Sequence, residues 1–412
     1  MRQRELRQGQ LLQRVTEGQL PLRHAAAALG VGYRQAKRLL ARFRAGGPAA
    51  LAHGNRGRCP PNRLPEAQRR RILALSQDQY HDCNDAHFAE RLAADHGLLV
   101  SRDLVRRLRR GAGLPPKRRR RPKQHHGRRP RRSLFGAMML WDGSPHRWFG
   151  PDRPPCCLMA AIDDATSRGL ALRFEPTETG LGYLRLLDQV VRRYGVPASV
   201  YQDGHSALYR HDDHWSLDEQ LRGQQDPTQI GQVLRELGIE PIRALSPQAK
   251  GRVERLFNTF QDRLVADLRL AGISDPLTAN RWLDDVYLAR HNDRFAVPAA
   301  KDGSLFRRFP PAAAAETLAF RYTATVGNDN AVRLGGLIID VPPGPNHRGY
   351  AKARVEVRQL LDGSWRVYYQ TQCIAVGEAT ELRDPLKARS RRPTKGVADW
   401  TWVYRASAEV TT

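Results

Sequence analysis

Three acidic residues stand where they could take part in phosphoryl chemistry. Asp142 ends the apolar run LFGAMMLWD, Asp203 ends the short predicted strand ASVYQDG, and Glu254 lies within the predicted helix SPQAKGRVERLFNTFQDRL. The apolar face of that helix is formed by Val253, Leu256, Phe257, Phe260 and Leu264. Because Glu254 lies at the border of this face, it can point toward the strand ends, where the three carboxylates could meet.

Carboxylates that converge repel one another unless a cation compensates them, and hard divalent cations bound through oxygen are the usual partners. Two Mg²⁺ (or Mn²⁺) ions about 4 Å apart would bind the attacking and leaving oxygens of a phosphodiester. Lys250 lies one turn before Glu254, where its ammonium could hold a substrate phosphate. Each acid alone could be an ordinary surface or capping carboxylate, but the three together predict a metal-dependent active site.

One further polar residue follows the second acid. His205 comes directly after the sequence QDG. Because Mg²⁺ prefers oxygen ligands, we expect this imidazole to contact the substrate or a metal ligand rather than the metal itself.

The elements that position the acids alternate over residues 133–300. The segments CCLMAAIDDATS and GLALRFEP predict a hairpin, and GYLRLLDQVVRRYG predicts an amphipathic helix. The strand ending at Asp203, the helix IGQVLRELG, the strand IRALS and the helix of Glu254 follow, with a polar insertion at 209–230. This order predicts an α/β core with acids at strand ends.

Residues 1–56 carry the pattern of a helix-turn-helix domain. Two helical segments meet at Gly30, and the second has apolar residues at i, i+3, i+4 and i+7. These inward residues are Ala36, Leu39, Leu40 and Phe43. The outward residues, which we expect to contact DNA, are Arg34, Gln35, Lys37 and Arg38. A plain amphipathic helical hairpin with solvated arginines is the alternative.

A second helical group spans residues 62–114 and resembles another helix-turn-helix domain. Leu104 and Leu108 share one face of its last helix. The other faces carry Arg102, Arg106, Arg107, Arg109 and Arg110. Of these, Arg106 and Arg107 are the predicted DNA contacts, and an ordinary helical bundle with a charged surface remains the alternative.

A basic linker, residues 115–132, joins these helices to the core. It contains ten Lys or Arg and no acid, so it cannot bury itself and should be extended. We expect it to follow DNA phosphates, although a solvated spacer would have the same composition. The predicted contacts are Arg118, Arg119, Arg120 and Arg121.

The C-terminal segments have a different sequence pattern from the core. Short alternating strands joined by turns over residues 318–385 predict a small β-barrel. Residues 386–412 form a basic tail that we expect to be disordered.

Composition agrees with a nucleic-acid partner. The chain of 412 residues carries 68 Lys+Arg against 42 Asp+Glu, a formal charge of +26, which favours polyanions. We find no apolar run near 18 residues, so no membrane partner is expected. The five cysteines form no CxxC pair, which argues against a disulfide framework or a structural zinc site and fits a reducing cytoplasm.

The motifs together resemble the DDE transposases of the retroviral-integrase superfamily, and among these the bacterial ISNCY-type insertion-sequence transposases. The resemblance covers nearly all of the chain. It is carried by LGVGYRQAKRLLARF, LWDGSPHRWF, AIDDATSR, YQDGHSALYR, SPQAKGRVERLFNTFQDRLVADLRLAGI, HNDRFAVP and NDNAVRLGG. It implies an RNase H-like core, a catalytic triad of Asp142, Asp203 and Glu254, and a structural role for the adjacent acids Asp163 and Asp164.

The resemblance also implies an activity and partners. Such an enzyme would bind the double-stranded ends of a mobile element and join them to target DNA, acting as a homo-oligomer on DNA. No small-molecule substrate is expected, and the location would be cytoplasmic and nucleoid-associated. Two other functions remain open: a helix-turn-helix regulator with an inactive core, and a hydrolytic nuclease of the same fold.

Overall fold

The computed structural model describes residues 3–52, 63–117, 129–210, 215–244 and 251–382. The chain divides into two compact units, Met1–Arg71 and Ile72–Thr412. The predicted DNA contacts Arg118, Arg119, Arg120, Arg121 and Lys250 lie outside the described residues, as does the predicted tail. Within the described segments, no helix combines the length and apolar character needed to cross a membrane.

The described residues 3–52 of the first unit form three helices. They are α1 (Gln3–Thr16), α2 (Leu22–Leu29) and α3 (Tyr33–Gly46), followed by a 3₁₀ turn at Pro48–Leu51. Gly30 ends α2 in the left-handed conformation with φ of 64°, which a glycine adopts without steric cost and which lets α3 begin three residues later. The predicted inward residues of α3 are all buried, which confirms this face: Ala36, Leu39, Leu40 and Phe43.

Three further helices precede the core. They are α4 (Glu66–Asp78), α5 (Asp85–His96) and α6 (Arg102–Gly111), and the division between the two units falls within α4. The side chain of Asn84 accepts hydrogen bonds from two backbone amides at the start of α5, and Ser101 caps α6 in the same way. These caps fix where both helices begin.

The core is a five-stranded mixed sheet. Its strands are β1 (Met139–His146), β2 (Cys156–Asp163), β3 (Gly169–Glu175), β4 (Ser199–Gln202) and β5 (Glu240–Arg243). They lie in the order β3-β2-β1-β4-β5, with β1, β2 and β3 antiparallel and β4 parallel to both β1 and β5. This is the strand order of an RNase H-like α/β core, and the predicted β2–β3 hairpin is confirmed.

Helices cover both faces of the sheet. Alternate β1 residues face opposite sides: Met139 and Trp141 pack with α7 (Gly180–Tyr194) and α9 (Gln229–Glu236), and Leu140 packs with α10 (Gly251–Leu270). The remaining core helices are α8 (Leu217–Arg222), α11 (Pro276–Trp282) and α12 (Leu288–Phe295), the last two joined by a π-helical turn at Leu283–Tyr287. The predicted apolar face of α10 is buried against the sheet.

The helix α10 also packs against the segment that contains α5. Arg263 of α10 donates to Glu90 at 2.6 Å, and Asp267 lies 2.9 Å from the buried His87. Arg269 donates to Asp82 at 2.7 Å. The α10 helix therefore lies between the sheet on one side and this helical segment on the other.

The arginines of α6 do not all face outward. Arg106 is exposed, but Arg109 is buried and donates to the Cys83 carbonyl at 2.9 Å and to Asp85 at 3.1 Å. Arg110 donates to Asp85 at 2.8 Å. The expectation that all five arginines crowd the free faces of α6 is therefore wrong, because the Asp85 carboxylate and backbone carbonyls bind Arg109 and Arg110 within the packing.

The predicted C-terminal barrel is not observed. After α13 (Pro311–Thr317), the structure has one four-stranded sheet and one two-stranded hairpin. The strands are β6 (Phe320–Thr325), β7 (Ala331–Leu334), β8 (Leu337–Asp340), β9 (Arg354–Gln359), β10 (Trp365–Tyr369) and β11 (Gln372–Gly377). The four-stranded sheet has the order β11-β10-β9-β6, and β7 and β8 form the hairpin. Within the described residues 318–382 hydrogen bonding closes no barrel; the sheets instead share one apolar core around Val357 and Trp365.

Candidate active site

Asp142 lies within β1, whereas the sequence pattern predicted that the strand would end there. The strand continues to His146 because residues 143–146 remain paired with β2. Leu140 pairs with Tyr201 of β4, so Asp142 and Asp203 are each two residues beyond a paired position on neighbouring parallel strands. The sheet therefore brings these two acids to the same edge.

Several hydrogen bonds fix the chain around this edge. Trp141 Nε1 donates to Gln202 Oε1 at 3.0 Å, which joins β1 to the last residue of β4. The backbone N–H of His205 donates to Asp203 Oδ1 at 3.0 Å, so the chain turns directly after the acid. His205 is partly exposed at the same edge, and its Nδ1 accepts a hydrogen bond from the Ala207 N–H at 3.2 Å.

Two residues that the sequence analysis missed lie beside the pair. The buried hydroxyl of Tyr183 donates to Glu178 Oε1 at 2.5 Å, and His205 Nδ1 lies 4.0 Å from the same oxygen. Burial raises the pKa of Tyr183 well above its ordinary value, and the charges of Glu178, Asp142 and Asp203 raise it further. The phenol therefore stays protonated, and negative charge is concentrated at this edge of the sheet.

Glu178 approaches β1 where there is no side chain. A Cβ added to Gly143 would lie 2.6 Å from Glu178 Oε2 and 2.9 Å from Cys157 Sγ. Glycine at position 143 thus allows the carboxylate to lie against the backbone of the residue that follows Asp142. Burial, and then the charge of Glu178, raise the pKa of Cys157 to about 12, so this thiol remains protonated and is no nucleophile near neutral pH.

Glu254 is in the first turn of α10, and its side chain is exposed. The helix is held on β1 by Gln261, seven residues later on the same stripe, which donates to Ser144 Oγ at 3.2 Å. Ser144 is two residues beyond Asp142 and faces the same side of the strand. The structure therefore places Glu254 on the helix that lies over Asp142, but it does not bring the three carboxylates together. Among the described residues, no group of three His, Cys, Asp or Glu side chains is positioned to hold a metal ion.

The donor chemistry of the edge suits a hard divalent cation. Asp142 and Asp203 offer carboxylate oxygens, the ligands that Mg²⁺ prefers. Their combined charge is large enough to affect the pKa of a neighbouring phenol, and a bound cation would relieve this repulsion.

The adjacent acids of the β2–β3 turn have structural partners. Asp163 accepts hydrogen bonds from the Gly136 N–H at 2.9 Å and from the Thr166 hydroxyl at 2.7 Å. Asp164 is fully buried and binds Arg129 at 2.6 Å and also Arg252. These contacts agree with the structural role that the resemblance implies for both acids.

The predicted DNA contacts that the structure describes are exposed. On α3 they are Arg34, Gln35, Lys37 and Arg38. On α6 they are Arg106 and Arg107. Lys37 Nζ lies 5.0 Å from the centre of the Tyr33 ring, so part of the outer face of α3 is organised by a cation–π contact.

The described residues thus form a helical N-terminal unit and an α/β core whose sheet carries Asp142 and Asp203 at one edge. Residues 9–70 match the family model described as winged helix-turn helix. The chain is 38% identical over 307 residues to y4bF of Sinorhizobium fredii, which its name describes as a transposase; the match covers 74% of this chain and 65% of that protein. It is 30% identical over 320 residues to the transposase for insertion sequence IS1202 of Streptococcus pneumoniae, covering 69% of this chain and 67% of the relative.

The chain belongs to the transposase family of these two relatives, as the sequence motifs predicted. It spans about two thirds of the length of each. The match over residues 9–70 also confirms the predicted N-terminal helix-turn-helix fold.

Solved structures give weaker likenesses. The simian T-cell lymphotropic virus intasome, solved with a PP2A regulatory subunit, matches at 12% identity and a TM-score of 0.29, covering 76% of this chain and 99% of that chain. The HTLV-2 integrase catalytic core domain, solved with magnesium, matches at 15% identity and a TM-score of 0.25, covering 36% and 85%. Scores this low support no transfer of residue roles or ligands.

Proposed function

We propose that this chain is a DNA transposase that binds the ends of a mobile element and catalyses metal-dependent cleavage and strand transfer. The observation that carries the proposal is the position of Asp142 and Asp203, each two residues beyond the paired residues Leu140 and Tyr201, in a chain whose relatives are transposases. The third carboxylate of the proposed site is Glu254, on the helix that covers the same strand.

In this proposal Asp142, Asp203 and Glu254 hold two Mg²⁺ or Mn²⁺ ions once DNA is bound. The bound ions would supply Lewis-acid stabilisation of the charge that develops on the attacking and leaving oxygens. Asp142 and Asp203 are oriented before DNA arrives, because the sheet register and the turn at His205 fix their backbones. The exposed Glu254 completes the site when the DNA strand lies between α10 and the sheet edge.

Two displacement steps account for the reaction. In the first, the oxygen of a water molecule bonds to phosphorus at the element end, the bond from phosphorus to the 3′ oxygen breaks, and the 3′ oxygen leaves as a hydroxyl. In the second, this hydroxyl loses its proton and bonds to a target phosphorus, and the target 3′ oxygen leaves with a proton. The number of phosphodiester bonds is conserved in the second step, so it needs no external energy source.

DNA binding would be divided between base reading and phosphate contact. The outer face of α3 would read element-end bases with Arg34, Gln35, Lys37 and Arg38, while Arg106, Arg107, Arg118, Arg119, Arg120, Arg121 and Lys250 would contact phosphates. We also propose that the protein acts as a homo-oligomer on DNA, because two element ends must be joined to one target. Sedimentation with and without element-end duplexes tests this: a monomer bound to each end separately would contradict it.

A joining assay tests the function. Purified protein is incubated with labelled element ends, a target plasmid and Mg²⁺, and we expect labelled ends to become covalently joined to the plasmid. Binding without cleavage would instead identify a regulator with an inactive core, and cleavage without joining would identify a hydrolytic nuclease.

A further inference from the structure

The buried carboxylate of Asp164 connects three distant parts of the chain. Its side chain has no solvent exposure, and it lies in the turn after β2. Arg129, at the end of the basic linker, donates to it at 2.6 Å, and the Arg132 N–H donates at 2.7 Å. Arg252, in the first turn of α10, donates to the same carboxylate and also to the Arg129 carbonyl.

The contact with Arg252 holds the turn that carries Glu254. The first N–H groups of any α-helix have no acceptor within the helix, so the first turn depends on outside contacts for its order. Arg252 is only 15% exposed and is bonded to a fully buried acid, and charge-assisted bonds of this kind are short and strong. Glu254, two residues later, is exposed. The position of the Glu254 carboxylate therefore depends largely on the backbone of this turn, which the bond from Arg252 to Asp164 holds against the sheet.

Positive charge exceeds negative charge around this carboxylate. Arg131 donates to the Asp164 carbonyl at 3.1 Å and to Ser167 Oγ at 2.7 Å. The pKa of Arg131 is lowered by burial and then by the neighbouring charges of Arg252 and Arg255, with Asp164 and Asp163 opposing them. Two carboxylates do not neutralise the four arginines Arg129, Arg131, Arg252 and Arg255, and a DNA phosphate bound alongside would add the missing negative charge.

We propose that Asp164 is a positioning residue for the reaction: by binding Arg252 on one side and Arg129 and Arg132 on the other, it ties the turn that presents Glu254 to the end of the DNA-binding linker. This connection fixes the position of Glu254 relative to the end of the linker, and therefore relative to any DNA that the linker binds. This inference rests on the proposed function of Glu254 and extends it to a residue that contacts neither substrate nor metal.

The test compares two arginines of the same helical turn. Arg252→Gln breaks the link to Asp164 but leaves that acid bonded to Arg129 and to the Arg132 N–H, so the buried carboxylate keeps partners and folding is preserved. Arg255→Gln is the matched control: it removes the same charge from the same turn, and Arg255 Nε donates to the Gly251 carbonyl of its own helix at 2.7 Å rather than to Asp164. Because each variant loses one positive charge from the same helical turn, we expect both to lose the same electrostatic attraction to DNA.

Two readouts are needed. In single-turnover cleavage of saturating, pre-bound element ends, Arg252→Gln should lose on the order of 10²-fold in rate relative to Arg255→Gln, because a small displacement of a catalytic group has that effect. The two variants should bind the ends equally well, and Arg252→Lys, which keeps a cation facing Asp164, should recover part of the rate. In hydrogen exchange of the protein without DNA or metal, amides 255–258, the first that can bond to carbonyls of the first turn of α10, should exchange faster in Arg252→Gln than in Arg255→Gln.

Equal cleavage rates in the two glutamine variants would overturn the proposal, and so would unchanged exchange in Arg252→Gln. Because exchange is measured without DNA or metal, it separates a failure of this link from a failure of the proposed triad, which would appear as full activity in a Glu254→Gln protein.

Discussion

At the scale of single residues, the sequence located acids but not their surroundings. Asp142 was expected to end its strand because it is the first polar residue after an apolar run, yet β1 continues for four residues paired to β2. Glu178 gave no signal, since FEPTETG has the composition of a loop and only the fold brings its carboxylate to Gly143. Residue types thus predicted the candidate chemistry. Contacts between residues distant in sequence could not be predicted, because they are formed only by the tertiary structure.

A glycine substitution tests the packing at this edge. Gly143→Ala would place a Cβ 2.6 Å from Glu178 Oε2, so either the carboxylate or β1 must move. We expect the free energy of unfolding to fall by about 1–3 kcal/mol in urea titration. Gly111→Ala is the control, because a Cβ there meets nothing within 4 Å and alanine is favoured in a helix. Equal stability of the two variants would show that position 143 does not constrain the edge.

At the scale of elements, periodicity predicted α7, α9, α10 and the strands of the core, because a buried face requires a repeating apolar pattern, but it did not predict α8, α11 or α12. The inward stripe of α3 and the apolar face of α10 are both buried as expected. The C-terminal strands also alternate as predicted, but alternation only shows which face is buried. It does not show which strand edges pair, and so it could not separate a closed barrel from a sheet covered by a hairpin.

Base reading by α3 can be tested on the exposed face. Arg34→Ala or Gln35→Ala should weaken binding to the cognate element end by roughly 1–3 kcal/mol and binding to random duplex much less. Arg14→Ala, an exposed arginine of α1, is the charge-matched control for Arg34. If either variant loses the same affinity on both DNAs, measured by titration at one salt concentration, α3 contacts phosphates only.

The packing of α12 predicts a pH dependence of stability. His291 is buried between the rings of Phe260 and Phe295, each 4.8 Å away, and its pKa is lowered from 6.5 to about 4 by burial and then by Arg263. As pH falls below 6.5 the unfolded chain binds this proton first, so stability is lost between pH 6.5 and 4, by at most about 3 kcal/mol from this group. His291→Phe keeps the aromatic packing and should lose less stability over that interval in urea titrations at pH 7 and pH 4.5. An identical loss in both proteins would exclude His291 as a source.

At the scale of the whole molecule, the net charge could be predicted because it follows directly from composition. The excess of 26 positive charges and the winged helix-turn-helix match both favour DNA. The sequence could not show that the segment around α5 packs on α10 through pairs such as Glu90–Arg263, since partners 173 residues apart leave no local pattern.

The basic linker should supply affinity without specificity. Changing Arg118, Arg119, Arg120 and Arg121 to glutamine should lower the slope of log K against log salt by roughly 0.9 for each phosphate that is no longer neutralised. The ratio of cognate to random binding should barely change, because phosphates carry no base information. A slope that stays the same between low and moderate salt would identify the linker as a solvated spacer.

The central claim is that three carboxylates, from β1, the turn after β4 and the helix α10, act as one metal-dependent centre. The most direct measurement is strand transfer of labelled element ends by Asp142→Asn, Asp203→Asn and Glu254→Gln, with Asp293→Asn, an exposed acid of α12, as the control. We predict that each of the three substitutions abolishes cleavage and joining while end binding stays nearly intact, and that the control remains active. Strand transfer at a near-normal rate by Glu254→Gln would contradict the account.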